Sequence, residues 1–151
     1  MNLGEIIDNF NLLCSTFFSE LYKVTNSGEV SKLQLRANMV KQFDKKIMIN
    51  IFIDKFYKYR ASVMSKSIKD FDRIATTIKD DDYSGEIDVL FVVWEQLSEN
   101  NKKVMFEYLY QMILCCDLFM STVVGSNKLN YSVTLKKQDE KGSSVDNTKS
   151  R

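Results

Sequence analysis

The 151-residue chain contains no proline and no histidine, and it has only five glycines. An average composition would supply about seven prolines at this length. Because proline and glycine most often end helices and form tight turns, their scarcity indicates long regular segments and few sharp loops. The absence of histidine excludes histidine-based zinc sites, catalytic triads and imidazole acid–base chemistry. The composition therefore favours an all-α fold.

The chain is also poor in cysteine, with Cys14, Cys115 and Cys116 in apolar stretches and no C-x-x-C spacing. An odd number of cysteines argues against a disulfide framework and indicates a reducing compartment. No general base accompanies the thiols, and no catalytic, cofactor-binding or metal-ligating set is recognisable in the sequence. We therefore expect a protein without enzymatic activity, without a cofactor and without a bound metal.

Long uninterrupted apolar runs are absent as well. A membrane-spanning helix needs roughly 18 to 20 predominantly apolar residues, whereas Asp117 interrupts the longest apolar pattern. Glu5 and Asp8 stand where a signal peptide would carry lysine or arginine. We therefore expect no transmembrane segment and an intracellular protein.

Apolar residues recur every three or four positions through most of the chain, which predicts amphipathic helices. The first predicted helix runs from Leu3 to Val24 and begins with a capping box formed by Asn2 and Glu5. A similar Ser31 pattern predicts the start of a second helix, which would continue as one long helix to about Tyr59.

The second half of the chain predicts three further helical segments. A helix is expected from Met64 to Ile78, followed by an acidic loop, Lys79–Gly85, whose aspartates lack the ligand spacing of a calcium loop. A short helix follows within Ile87–Leu97. The last helix begins at the N-cap Ser98 and is predicted to stop at Gly125.

Two segments leave an alternative open. The run Ile47–Ile53 reads IMINIFI, and its β-branched residues at alternate positions also fit a buried strand. The segment Ser126–Arg151 is rich in serine, asparagine and lysine, which is typical of a flexible tail. Inside it, Leu129–Leu135 alternates apolar and polar residues, as a strand that pairs with another chain would.

These patterns predict an all-α protein, a compact bundle of four to five helices over residues 1–125 with a disordered C-terminal tail over 126–151. Four residues of the C-terminal helical pair are predicted to pack in the core: Trp94, Leu97, Tyr108 and Leu109.

Charge is distributed unevenly along the chain. Residues 32–73 contain eleven lysines and arginines against four acidic residues, although the whole chain has a net charge of only +1. This basic region predicts either a solvated helical face or a surface that binds nucleic acid. The candidate interaction residues are Lys41, Lys45, Lys46, Lys55, Lys58, Arg60, Lys102 and Lys103.

The C-terminal half carries a pattern of residue types that resembles a family of proteins. The run WEQLSENNKKVMFEYLYQMIL contains Trp94, then Leu97 and Ser98, then Asn101 and Lys102. An aromatic residue and a Tyr-Leu pair follow, at Phe106, Tyr108 and Leu109. An upstream segment, Phe52–Phe71, carries aromatic residues, a methionine and a terminal Asp-Phe pair, without the proline expected near its middle. Together they resemble small uncharacterised proteins of nucleocytoplasmic large DNA viruses.

That resemblance implies a viral protein made in the host cytoplasm or a virus factory, with packaging in the virion as an open alternative. The family brings no assigned activity, so no functional residue is transferred. The prediction is a non-enzymatic protein-binding or structural protein whose partner is another copy, a viral protein or a host protein. Two alternatives are a nucleic-acid-binding accessory protein and a viral decoy of a host helical-bundle regulator.

Overall fold

The computed structural model describes the backbone of residues 1–80 and 88–135, and the side chains of residues 1–77 and 88–125. Within these ranges the regular elements are helical and no strand occurs, so the all-α prediction is confirmed. A short 3-10 helix, Tyr57–Tyr59, connects the third and fourth α-helices. In chain order the α-helices are α1 (Leu3–Thr25), α2 (Gly28–Val40), α3 (Ile47–Phe56), α4 (Arg60–Met64), α5 (Ile68–Asp80), α6 (Val89–Trp94) and α7 (Glu99–Leu135).

Local capping determines where α1 and α2 begin and end. The capping box of α1 is present, because the Glu5 amide donates to the Asn2 side chain and the Asn2 amide donates to Glu5, each at 2.9 Å. Asn26 ends α1 with a left-handed backbone, φ 53°. The predicted start of α2 at Ser31 is wrong. The true N-cap is Ser27, and the Ser31 amide donates to the Ser27 carbonyl at 3.1 Å, inside the helix.

The predicted long helix from Ser31 to Tyr59 is interrupted after Val40. At this break the Asp44 carboxylate accepts the Lys46 amide at 2.9 Å. The side-chain amide of Asn11, on α1, donates to the Lys45 carbonyl at 3.0 Å. These contacts satisfy backbone groups that a continuous helix would have paired internally. The run Ile47–Ile53 is helical, in α3, so the strand alternative is wrong.

The predicted helix from Met64 to Ile78 is also divided. The segment between α4 and α5 contains Lys66, which has a left-handed backbone with φ 58°. A lysine in this conformation is uncommon, and its ammonium group lies over the Tyr110 ring of α7, 4.4 Å from the centroid. Helix α5 then continues to Asp80, whereas residues 81–85 of the predicted acidic loop lie outside the described residues.

Helix α7 begins as predicted and ends later than predicted. Ser98 is its N-cap, since the Asn101 amide donates to the Ser98 hydroxyl at 3.2 Å. The predicted helix stop at Gly125 is wrong because the helix continues to Leu135. The division into a domain over residues 1–125 and a tail over 126–151 stays a prediction. Gly125 does not have a positive φ, so its backbone does not require glycine. The segment Leu129–Leu135 is helical, and residues 136–151 of the predicted tail lie outside the described residues.

The core forms where α1 packs along α7 and where α5 packs against α6. Both long helices contribute one apolar face, and no polar side chain is buried among the described residues. A cluster of aromatic rings joins α3, α5, α6 and α7, with centroid separations of 4.7 to 6.1 Å between neighbouring rings. We call it the aromatic cluster: Phe52, Phe56, Phe71, Phe91, Trp94 and Phe106.

Candidate functional site

The first candidate is the set of cations selected from the sequence, and two of them are bound to carboxylates within the fold. Arg60 forms a two-pronged ion pair with Asp117 of α7: Nε lies 2.9 Å from Oδ1, and the terminal nitrogen lies 2.8 Å from Oδ2. The Tyr57 hydroxyl donates to the same carboxylate. The three side chains hold the turn between α3 and α4 against α7, so Arg60 has a structural role.

The contacts among Tyr57, Arg60 and Asp117 also shift the pKa values of all three groups. The hydrogen bonds from Arg60 stabilise the ionised carboxylate and lower the pKa of Asp117 below its ordinary value of 3.8. The hydrogen bond to Asp117 raises the pKa of Tyr57 above 10.0, because that bond requires the protonated phenol. The Asp117 carboxylate likewise raises the pKa of Arg60.

Replacing Asp117 with asparagine is expected to lower the free energy of unfolding by about 1 kcal/mol at neutral pH, since the ion pair is partly exposed. Because the pKa of Asp117 is lower in the folded protein than in the unfolded chain, its ionised carboxylate stabilises the fold above about pH 4. This stabilisation is lost as the pH falls through the folded-state pKa. Urea unfolding of both proteins between neutral pH and pH 3 should therefore show the difference shrinking. A difference that stays constant over this range would contradict the assignment.

Lys102 is the second cation held within the fold. Its ammonium group lies 3.0 Å from Asp72 Oδ1, and its side chain is only 11 % exposed. The same oxygen accepts the Trp94 indole N–H at 2.7 Å. The Asp72 carboxylate thus joins α5, α6 and α7 at one point, which we call the Asp72 junction (Asp72, Trp94 and Lys102).

The other candidate cations have contacts of several kinds. Lys45 lies 3.5 Å from Asp8, and Lys55 lies 3.8 Å from Asp54, both as exposed pairs. Lys58 lies over the Tyr59 ring. The remaining three have no ion pair among the side chains that the structure describes: Lys41, Lys46 and Lys103. Of the eight cations, the structure brings Lys41 and Lys45 together in one pocket that Asp8 also lines, and it holds Arg60 and Lys102 in ion pairs with other helices.

Four residues were selected from the sequence as core, and they lie in or beside it. Trp94, Leu97 and Leu109 are buried. Tyr108 is half-buried and its ring centroid lies 6.2 Å from that of Phe17 on α1.

The cysteine thiols are shielded between helices. Cys14 and Cys116 are buried and Cys115 is half-buried. Burial raises the pKa of the Cys14 thiol to about 12, and it raises the pKa values of Cys115 and Cys116 as well. Because the thiolate is the reactive species, these thiols are poor nucleophiles in the folded protein. Among the side chains of residues 1–77 and 88–125, no group of three or more cysteine or acidic residues is arranged to hold a metal ion.

The most distinctive surface is an exposed apolar ridge that the sequence analysis did not select. Leu35 and Met39 lie one turn apart on α2 and are 62 % and 56 % exposed. Phe43 follows four residues later and is 86 % exposed. The Phe43 amide donates to the Val40 carbonyl at 3.0 Å, so the chain keeps a helical turn as far as this residue. We call Leu35, Met39 and Phe43 the α2 ridge.

A groove of about 270 Å³ lies beside the ridge, between α2 and the first residue of α6. Its apolar wall is formed by Leu33, Leu35, Met39 and Val89, and its charged lining by Glu29, Lys32 and Arg36. The signal that could have revealed this surface is the four-residue spacing of Leu35, Met39 and Phe43. These three residues lie next to the buried face of α2, which contains Val30 and Ala37.

Helix α7 has a second property that bears on location. In the described part of the chain, its segment Glu99–Gly125 is the one helix whose length and composition would allow it to cross a membrane. Core helices of soluble proteins can satisfy the same criterion. One face of α7 is buried against the other helices, while Val104, Leu118 and Val124 are exposed. The predicted absence of a transmembrane segment therefore stays a prediction.

The chain matches no protein-family model, and comparisons with curated proteins and with solved structures likewise give no match. Function must therefore be argued from the surface of the molecule itself.

Proposed function

We propose that this chain is a non-enzymatic protein-binding protein and that the α2 ridge is its contact surface. The observation that carries this proposal is the exposure of Leu35, Met39 and Phe43, each more than half accessible, together with the groove that Leu35 and Met39 line. Isolated exposed apolar residues are common, whereas a contiguous series beside a groove is typical of an interaction site. Burying such a series against a partner would stabilise the complex through the hydrophobic effect.

The ion pairs that the basic residues form within the protein favour protein binding over nucleic-acid binding. Phosphate binding requires several cations that can release counterions together. Arg60 and Lys102 are each bound to a carboxylate at hydrogen-bonding distance, and Lys45 and Lys55 lie in exposed ion pairs. A protein surface that engages the ridge needs none of these pairs to open.

The viral origin implied by the sequence resemblance is part of this proposal. A partner would then be a second viral protein or a host protein in the cytoplasm or virus factory, and the chain would be an assembly component or a modulator of host proteins. Proteomic analysis of purified particles tests packaging, and a chain absent from particles would limit the proposal to the infected cell.

Photocrosslinking tests the contact surface. A photoreactive amino acid in place of Met39 is expected to form covalent adducts with a partner protein in cells that express the chain. The same group in place of the exposed Thr77 on α5 is the control and should form none. Replacing Leu35 and Phe43 with glutamine should abolish the adducts, because the apolar contact is lost. The unfolding free energy should change by less than about 0.5 kcal/mol, since both side chains are at the surface.

Two results would contradict the proposal. Equal adducts at positions 39 and 77 would show that capture is non-specific. Adducts that persist in the Leu35→Gln, Phe43→Gln variant would show that the ridge does not carry the contact.

A further inference from the structure

We propose that the exposed face of α7 binds a second copy of this chain, in an antiparallel pair centred on Gln111. Three residues spaced by seven positions define this face, and we call them the α7 stripe: Val104, Gln111 and Leu118. The stripe shares no residue with the α2 ridge, so it adds a second contact surface to the protein-binding function proposed above.

Helix α7 is more apolar than its burial within one chain explains. Its segment Glu99–Gly125 is long and apolar enough to cross a membrane, yet only 28 % of its most apolar stretch is buried. Val104 and Leu118 are 50 % and 48 % exposed. A helix that is apolar on several sides is usually covered on several sides. The outward face of α7 therefore lacks a cover among the helices that the structure describes.

A groove of about 340 Å³ lies on this face, between α1 and α7. Leu13, Val104 and Tyr108 form its apolar walls, and Glu107 and Gln111 complete its lining. Leu118 does not line the groove and projects from the same helix, fourteen residues after Val104. The face thus carries both an apolar hole and an apolar side chain of the kind that fills one.

The spacing of the stripe is symmetric about Gln111. Val104 precedes Gln111 by seven residues, and Leu118 follows it by seven. In a two-fold pair the same patch of each copy meets the other. If the two-fold axis passes through Gln111, Leu118 of each copy reaches the groove beside Val104 of the other, about 10 Å from the axis. Hole and apolar side chain then meet twice in one interface.

Gln111 suits the position at the axis. Its side-chain amide donates one N–H to Glu107 at 3.0 Å, within the same helix. An amide side chain has a second N–H and a carbonyl oxygen, so two glutamines that face each other can exchange hydrogen bonds. One polar pair within an apolar seam fixes the register of two helices.

Charge favours the antiparallel direction. Between Val104 and Leu118 the charged residues are Glu107 and Asp117, and Asp117 is bound by Arg60. In the antiparallel register Glu107 lies opposite position 115 of the other copy, which is a cysteine. A parallel pair in register would instead place the two Glu107 carboxylates against each other, which is destabilising.

Sedimentation velocity of the full chain tests the pair. We expect dimerisation in the micromolar range, because a seam of this length is smaller than a standard interface. Gln111→Glu places two carboxylates at the axis and should raise the dimer Kd at least tenfold. Val104→Gln with Leu118→Gln should do the same, because the apolar contacts are lost. The matched control, Leu35→Gln with Phe43→Gln on the α2 ridge, should dimerise as the original chain does.

The variants are expected to fold normally. Each changed side chain lies at the surface, so far-ultraviolet circular dichroism and the urea midpoint of unfolding should stay as in the original chain. A lost dimer in a variant with an unchanged midpoint therefore reports on the interface.

Disulfide crosslinking tests the register. Gln111→Cys in a Cys115→Ser background places one thiol of each copy at the axis, and oxidation with copper phenanthroline should join two chains through one disulfide. Cys115 is replaced because it is half-buried on the same helix. Thr77→Cys in that background is the control, since Thr77 is exposed on α5, and it should give no covalent dimer.

Several outcomes overturn the inference. A dimer that is lost in the Leu35→Gln, Phe43→Gln variant and kept in the Val104→Gln, Leu118→Gln variant would place the second copy on the α2 ridge. Equal covalent dimers at positions 77 and 111 would exclude the register. A monomeric chain that floats with phosphatidylcholine vesicles would identify a bilayer as the cover of α7. A monomeric chain that forms photocrosslinks at position 39 would remove the α7 pair and leave the proposed function standing.

Discussion

Replacing Trp94 with alanine is expected to lower the free energy of unfolding by about 3 to 5 kcal/mol. Trp94 is buried, with its ring 4.8 Å from Phe71 and 6.1 Å from Phe106 between centroids. Truncation removes these contacts and leaves a cavity where α5, α6 and α7 meet. A loss of this size is a large share of the 5 to 15 kcal/mol that stabilises a typical domain. Urea unfolding followed by far-ultraviolet circular dichroism measures it.

A conservative variant distinguishes the contribution of the Trp94 ring from that of its indole N–H. Trp94→Phe keeps an aromatic ring in the cluster and removes the indole N–H that donates to Asp72 at 2.7 Å. We expect it to cost less than the alanine variant, because most of the apolar contact remains. A loss below about 1 kcal/mol for Trp94→Ala would contradict the packing role of this residue.

Replacing Asp72 with alanine is the second substitution expected to have a large effect. It removes the carboxylate that holds both Lys102 and the Trp94 indole, and it leaves the Lys102 ammonium group in a site where its side chain is only 11 % exposed. Removing one partner of an ion pair destabilises a protein most when the charge that remains is shielded from water. Since Asp72 itself is partly exposed, we expect a loss of about 3 kcal/mol, toward the lower end of the range for buried pairs.

A matched control lies two residues away on the same helix. Asp70 pairs with Arg73 at 2.8 Å, and both side chains are exposed, at 42 % and 75 %. Asp70→Ala should therefore cost less than about 1 kcal/mol. The double variant Asp72→Ala with Lys102→Met should recover part of the loss, because it removes a shielded charge whose remaining partner, Glu99, is 4.0 Å away and exposed. Equal losses for Asp70→Ala and Asp72→Ala would contradict the special role of the Asp72 junction.

Sequence reasoning succeeded where the deciding interactions are local. The partners in the capping box, Asn2 and Glu5, are three positions apart, and so are Ser98 and Asn101 in the cap of α7. Both can be recognised from spacing alone, because the partners are neighbours on the same turn. The apolar periodicity of α1 and of the first part of α7 likewise predicted which faces are buried.

Sequence reasoning failed where distant residues decide the outcome. The break after Val40 contains neither proline nor glycine, and it is held by Asn11, which lies 34 residues before Lys45. The extension of α7 past Gly125 was missed because glycine is tolerated inside a helix at a modest energetic cost.

The same contrast between local and distant interactions applies to the candidate site. Arg60 and Lys102 were selected as available cations, yet their partners Asp117 and Asp72 lie 57 and 30 residues away in the chain. Asp117 was noted only as a break in an apolar pattern. An acidic residue on the apolar face of a long helix is itself a signal, because a carboxylate near a core needs a hydrogen-bonding partner.

By itself the sequence determined the helical class, the two long helices and the apolar faces that form the core, because periodicity and capping act within a few residues of the chain. Only the tertiary structure decided where the middle helix is interrupted, which cations are held by carboxylates, and which apolar residues of α2 remain at the surface. Those outcomes depend on which helices meet, and a side chain is buried or exposed only with respect to its neighbours in space.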